Sequence, residues 1–288
     1  MSEYAVVVVE PETPGNVGTI ARAMKNFGFA DLRLVDPPPL EPGGEAYGFA
    51  GHAREDVLPE ATETTFDEVV AGFHTVGFTA ITGEDARRHV RFPFVTPREL
   101  ADELAAVDSR TAFVFGREGR GLNNDELSRL DQVCTIPANP DYPVLNLGQA
   151  ATVALYELRG LALDGDGDTG ADGAADGDGG AGETRPAGDH LPDVERERAT
   201  PADVERLHEF VGSFLDAVEH RDHKREKTAR LFRRLLGRAH PTDREAATLT
   251  GLFRKATDQL EGRYRGDGPE DGSPDATDAV EPTDAPDD

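Results

Sequence analysis

A single cysteine, Cys134, excludes an internal disulfide and any cysteine-built zinc cluster. It lies in the apolar run V-C-T-I, where it reads as a small core hydrophobe. Long apolar runs are missing too: none approaches the roughly 20 residues that span a bilayer. The N-terminus M-S-E-Y-A-V-V-V-V-E has no basic lead-in of a secretion signal. A soluble, cytoplasmic protein with no membrane partner is therefore expected. Lysine is scarce beside arginine, and 56 acidic residues against 30 basic ones give a formal charge of −26. That excess would ordinarily argue against a nucleic-acid partner. The composition, however, resembles that of proteins from extremely salty cytoplasm. At about 1 M salt the Debye length is only about 3 Å, so net charge there says little about partners.

What the chain does contain is 37% hydrophobic residues over 288 positions, enough for one main domain with appendages. Apolar runs bounded by turn residues recur at 5–9, 32–35, 75–79, 112–115 and 133–136, separated by helical patterns at 17–27, 66–73, 97–107 and 125–130. Continuous rather than alternating apolar strands between helices predict an α/β fold, a parallel sheet with helices on both faces. Residues 1–163 form this domain, closed by a long helix over 147–163. Between Asp164 and Glu183 no aliphatic residue exceeds alanine, so 164–200 reads as a flexible acidic linker. Helical periodicity returns over 201–265, in a small C-terminal helical region. It opens with Val204, Leu207, Val211, Phe214, Leu215 and Val218 on one face, then a basic helix ending at Gly237, then a helix over 242–260 whose T-D-R-E start fits a capping box. Residues 266–288 lack Lys and Arg and read as a disordered acidic tail.

Three segments carry candidate chemistry. On the helix of P-G-N-V-G-T-I-A-R-A-M-K-N-F-G (14–28), Val17, Ile20, Ala21, Met24 and Phe27 share one face, while Asn16, Thr19, Arg22 and Asn26 share the other. Arg22 thus points away from the sheet, on the face it shares with Asn16, which sits at a helix N-terminus that offers free N–H groups to an anion. The glycines do not fit G-x-G-x-x-G, which weakens a nicotinamide-enzyme reading. The second segment, F-V-F-G-R-E-G-R-G-L (113–122), runs from a buried strand into a glycine-rich loop, placing Gly116 where open parallel sheets bind ligands. The third, I-P-A-N-P-D-Y-P-V-L-N-L-G-Q-A-A (136–151), leaves a strand, passes three prolines and enters a helix at Asn146.

Together and in this order, the three segments resemble the motifs of the SpoU branch of the SPOUT RNA methyltransferases, over almost all of residues 4–163. The resemblance implies a deep trefoil knot that binds S-adenosyl-L-methionine in bent form. Its pocket would comprise Phe78, Thr79, Ala80, Gly116, Glu118, Ile136, Pro143, Val144, Leu145 and Asn146. Many relatives carry serine where this chain has Val144. The resemblance also makes Arg22, Asn16, Asn146 and Glu118 the catalytic set. Arg22 would be donated to the site of the other subunit of a homodimer, beside the methyl-accepting ribose. A guanidinium is effectively always protonated, so its role there would be electrostatic rather than that of a base.

The spelling A-N-P-D-Y, with L-F-R-R-L-L-G-R-A-H-P further on, narrows the likeness to members that methylate the ribose 2′-hydroxyl at the first nucleotide of the tRNA anticodon loop. Other RNA positions, and a catalytically silent RNA-binding protein of the same fold, remain alternatives. Between Arg221 and Arg238 the basic helix offers Lys224, Arg225, Lys227, Arg230, Arg233, Arg234 and Arg238 as candidate tRNA contacts. The competing reading is an amphipathic helix with a solvated face and Leu231, Phe232, Leu235 and Leu236 toward a core. His220 and His223 are spaced for a shared metal, but no third ligand is evident and no structural metal is expected.

Overall fold

A computed structural model describes residues 3–80, 93–105, 107, 109–163, 198–218 and 222–262. The acidic stretch from 164 to 197 and the tail 266–288 lie outside these residues, as do His220 and the side chain of His223. Six strands, β1 (Tyr4–Val9), β2 (Asp31–Val35), β3 (Thr62–Glu63), β4 (His74–Phe78), β5 (Thr111–Phe115) and β6 (Gln132–Cys134), form one sheet in the order β3-β2-β1-β5-β4-β6. Every pairing is parallel. Between the strands run α1 (Pro14–Asn26), α2 (Glu45–Phe49), α3 (Phe66–Gly72), α4 (Pro97–Ala105) and α5 (Asn124–Arg129), and α6 (Leu147–Leu163) follows the last.

The valine run of β1 explains the two-sided cover. Val6 and Val8 enter one core with Ile20, Met24, Leu100, Leu155 and Phe113, while Val7 and Val9 enter another with Val69, Leu127 and Leu130. A strand buried on both faces has no position for a polar side chain, which is why its apolar run is unbroken. Cys134 is fully buried in the first core, and burial pushes its thiol well above the usual range. The sequence reading omitted α2, a 3-10 turn at Gly51–Arg54 and the two-residue edge strand β3. In that stretch short apolar residues alternate with glycine, without a helical stripe. Gly18 of α1 supplies the reason they pack: a Cβ there would sit 2.0 Å from the carbonyl oxygen of Ala46, so α2 rests directly on α1 backbone.

Downstream, α7 (Pro201–Ala217), α8 (Asp222–Ala239) and α9 (Asp243–Leu260) bury Leu207, Val211, Leu215 and Leu236 in a core of their own. The capping box at Thr242 and Glu245 starts α9. This bundle docks on the α/β unit, α7 against α3 and α8 against α5 and the start of β6. At the joint the Arg234 guanidinium, 3% exposed, donates to the carbonyls of Leu130 (2.7 Å) and Leu127 (2.6 Å) at the end of α5. Arg233 pairs with Glu205 (2.8 Å) and reaches Asp131 (3.4 Å), whose other oxygen accepts from the Thr75 amide and hydroxyl, both at 2.9 Å.

These contacts correct the reading of α8. Arg233 and Arg234, expected on an RNA surface, turn inward, while Leu231 (61% exposed) and Leu235 (52%), expected inside, face solvent. The negative end of α5 and the Asp131 carboxylate compensate buried guanidinium charge, which hydrophobic patterning cannot anticipate. Gly237 does not end the helix either. Its missing side chain admits the Asp131 carbonyl, which would stand 2.5 Å from a Cβ, and His240 takes the left-handed terminal position at φ 43°.

Candidate active site

The loop after β5 is built by closure on itself. Gly116 leaves the strand so tightly that a Cβ would meet the backbone of Gly121 and Leu122 at 2.2 Å. Gly121 completes the turn at φ 63°, with its amide on the Arg117 carbonyl at 2.9 Å. Arg117 then holds the loop from below. Its guanidinium donates to Glu10 at the end of β1 (Nε to Oε2, 2.7 Å), to Glu126 (2.8 and 3.1 Å) and to the Gly121 carbonyl (3.3 Å). Both carboxylates raise the Arg117 pKa further above its ordinary value, so it is a fixed cation. Glu126 belongs at the same time to the capping box that opens α5 on Asn123. One arginine thereby joins β1, the loop and α5.

Glu118 performs the equivalent join to α1. Its carboxylate accepts from the amides of Glu12 (2.7 Å) and Thr13 (2.9 Å) and from Asn16 Nδ2 (2.9 Å). Burial opposes its charge, but the hydrogen bonds from Asn16, Glu12 and Thr13 outweigh that and hold the carboxyl below the usual range. A carboxylate at a helix N-terminus also complements the helix dipole. Asn16 and Glu118 therefore pair with each other, and the pair fixes α1 against the loop.

Above this loop lies a cavity of about 220 Å³, at the C-terminal ends of β4 and β5. Phe78, Thr79, Ala80, Gly116, Glu118, Ile136, Pro143, Val144 and Leu145 all line it, so three segments separated in sequence converge on one space. Phe78 and Phe115 stack at 4.5 Å to form an apolar wall. Seven further lining residues were not named from the sequence, among them Phe115, Leu147 and Ala150, which the helical and strand patterns assign to the core, and the charged pair Arg117 and Arg120. Both arginines stand in the quoted segment F-G-R-E-G-R-G-L, but only the fold separates their roles.

Asn146 is not part of the lining. It caps α6, accepting from the Gln149 amide through its side chain (3.3 Å) and from the Ala150 amide through its carbonyl (2.8 Å). Arg22 is likewise outside the cavity of its own chain. It is exposed, lies over Gly51, and its side chain makes no hydrogen bond or ion pair with another described residue. From Asn16 it stands six residues further along α1, about 9 Å at 1.5 Å per residue. Of the basic residues on α8, Lys224, Lys227 and Arg238 face solvent, Arg225 pairs with Asp216, and Arg230 lies 4.0 Å from Glu226. The bundle meets His74, at the opposite end of β4 from Phe78, so α8 and the cavity sit at opposite ends of the strands. No helix among the described residues is long and apolar enough to cross a membrane, and no group of three or more His, Cys, Asp or Glu there is arranged to hold a metal ion.

Residues 3–156 match the model of the SpoU rRNA Methylase family. The tRNA (cytidine-2′-O-)-methyltransferase TrmJ of Methanocaldococcus jannaschii is 34% identical over 251 residues, covering 87% of this chain and 98% of the relative. The tRNA (cytidine/uridine-2′-O-)-methyltransferase TrmJ of Salmonella typhimurium is 32% identical over 267 residues, 91% of this chain and all of its own length. Among solved structures, TrmJ from Z. mobilis ZM4 superposes with a TM-score of 0.63 at 26% identity, over 88% of this chain and 98% of that one.

Proposed function

The chain belongs to the SpoU rRNA Methylase family, and from that premise we propose that it methylates a ribose 2′-hydroxyl of tRNA, with S-adenosyl-L-methionine as donor and nucleotide 32 of the anticodon loop as target. The observation that carries the reading is the convergence of three distant segments on one cavity at the C-terminal ends of the strands, where open parallel sheets bind their ligands. Its composition suits the cofactor: the apolar wall of Phe78, Phe115, Ile136 and Leu145 for a flat ring, loop backbone groups for hydrogen bonds, and an arginine for a carboxylate. When bound, S-adenosylmethionine supplies an electrophilic methyl group.

The chain's own residues do the rest. Arg117, Glu118 and Asn16 act at a distance from the methyl group, by holding the loop and the start of α1 rigid. Rigid support of a binding loop lowers the cost of organising it when ligand arrives. Arg22 acts through its charge rather than as a base. Its fixed charge stabilises the alkoxide developing on the 2′-oxygen and grips a neighbouring phosphate.

Because Arg22 lies outside the cavity of its own chain, the reading includes a homodimer in which Arg22 of the partner subunit completes each site. Exposed apolar residues of α6, Val153 and Tyr156, the latter against Phe27 of α1, offer a contact face beside Arg22's helix. Relatives named as tRNA methyltransferases and matched over nearly their whole length, and the solvent-facing Lys224, Lys227 and Arg238, support tRNA as substrate. The test is transfer of methyl from S-adenosylmethionine to tRNA transcripts, with S-adenosylhomocysteine release as the readout. A folded protein that binds the cofactor and modifies no tRNA would leave the silent RNA-binding alternative standing.

A further inference from the structure

The cavity holds three charged side chains, and two of them are already committed. Arg117 is occupied by Glu10 and Glu126, and Glu118 by Asn16 and two backbone amides. Arg120 is the third. It is exposed at the turn of the loop, lines the cavity, and makes no hydrogen bond or ion pair with another described residue. The loop that carries it is held on either side by the close approaches of Gly116 and Gly121, so the backbone from which Arg120 projects is fixed while its side chain is uncommitted among the described residues.

A guanidinium left uncommitted at a ligand cavity matches a planar anion, which it grips through two parallel N–H donors. Resting on the reading of this cavity as the cofactor site, we propose that Arg120 is a positioning residue that binds the carboxylate at the amino-acid end of S-adenosylmethionine. The cofactor has one carboxylate, and its sulfonium carries a positive charge that must lie away from any guanidinium. Pairing Arg120 with the carboxylate would hold the amino-acid end of the cofactor at the loop. Among the described residues lining the cavity no other cation is free to do this, because releasing Arg117 would undo the join between β1, the loop and α5.

Calorimetric titration of full-length protein distinguishes this role from a structural one, with two probes: S-adenosylhomocysteine and the same molecule lacking its carboxylate. Wild type should bind S-adenosylhomocysteine about tenfold more tightly than the decarboxylated probe, the scale of one charge-assisted contact. Arg120→Ala should abolish that preference by weakening S-adenosylhomocysteine alone, and Arg120→Lys should restore part of it. The melting temperature and tRNA affinity should stay at the wild-type values. Unchanged S-adenosylhomocysteine affinity in Arg120→Ala overturns the proposal, and so does an equal loss for both probes, which would mean a collapsed loop. Loss of tRNA binding with intact S-adenosylhomocysteine binding also overturns it, in favour of an RNA phosphate contact. Failure of wild type to bind either probe would instead refute the cofactor cavity itself.

Discussion

Replacing Arg234 by methionine keeps most of the side-chain volume and removes the guanidinium. At 3% exposure the site admits little water, so the carbonyls of Leu127 and Leu130 would lose partners now at 2.6 and 2.7 Å. An unsatisfied buried polar group costs about 1–3 kcal/mol, and the two together about 2–6 kcal/mol, a large share of the roughly 5–15 kcal/mol that holds a typical domain folded. Urea unfolding followed by far-UV circular dichroism reads the loss. Limited trypsin digestion should show the bundle of α7 to α9 cut first, because the joint fails before either core. Lys224→Met, on the solvent side of the same helix, should stay within about 0.5 kcal/mol of wild type. If Arg234→Met instead matched wild-type stability and bound tRNA more weakly, the inward placement of Arg234 would be wrong and the original RNA-surface reading right.

Gly116→Ala places a methyl group against loop backbone at 2.2 Å, so S-adenosylhomocysteine affinity should fall at least about tenfold, a 1.4 kcal/mol effect; wild-type affinity would show that the loop yields. Acid should weaken the joint: burial first, then Arg233 for His208 and His74 with Arg198 for His240, lower both histidines from 6.5 to about 3. Above pH 6.5 they are neutral folded or unfolded. Below it only the unfolded chain takes up the protons, and stability should fall by about 1.4 kcal/mol per pH unit for each histidine down to about pH 3. Urea midpoints measured from pH 7 to 4 test the slope, and a flat profile would refute the buried neutral state. Truncation after Leu163 should preserve S-adenosylhomocysteine binding, since the cavity lies at the far end of the strands from the bundle, while lowering tRNA affinity; equal tRNA affinities would remove α8 from the RNA surface.

Which parts of this were legible in the sequence follows from the physics of each part. The strands β1, β2, β4 and β5 and the helices α1, α3 and α6 were readable because two-sided burial leaves unbroken apolar runs, and one-sided burial a helical stripe. The cavity residues were readable through the family motifs, since the loops after β4, β5 and β6 converge in any parallel sheet of this order. The partnership of Glu118 with Asn16 was not, because it joins residues 102 apart that only the fold brings within hydrogen-bond distance. Least legible was α8. Charge was taken as a mark of the surface, yet Arg233 and Arg234 bury theirs against Asp131 and the end of α5, and Gly237 serves a helix contact rather than a helix end.

In the proposed function this fold transfers a methyl group to a tRNA ribose with the help of Arg22. Incubating wild-type and Arg22→Ala proteins with S-adenosylmethionine and anticodon-loop-bearing tRNA, then mapping modified nucleotides by mass spectrometry, tests it most directly. Wild type should leave one 2′-O-methyl group on the first nucleotide of the anticodon loop. Arg22→Ala should transfer it about 10²-fold more slowly, the scale of one lost charge donor, while binding S-adenosylhomocysteine as wild type does. A methyl group on a base, equal rates for the two proteins, or no modification of any tRNA by a folded, cofactor-binding wild type would contradict it.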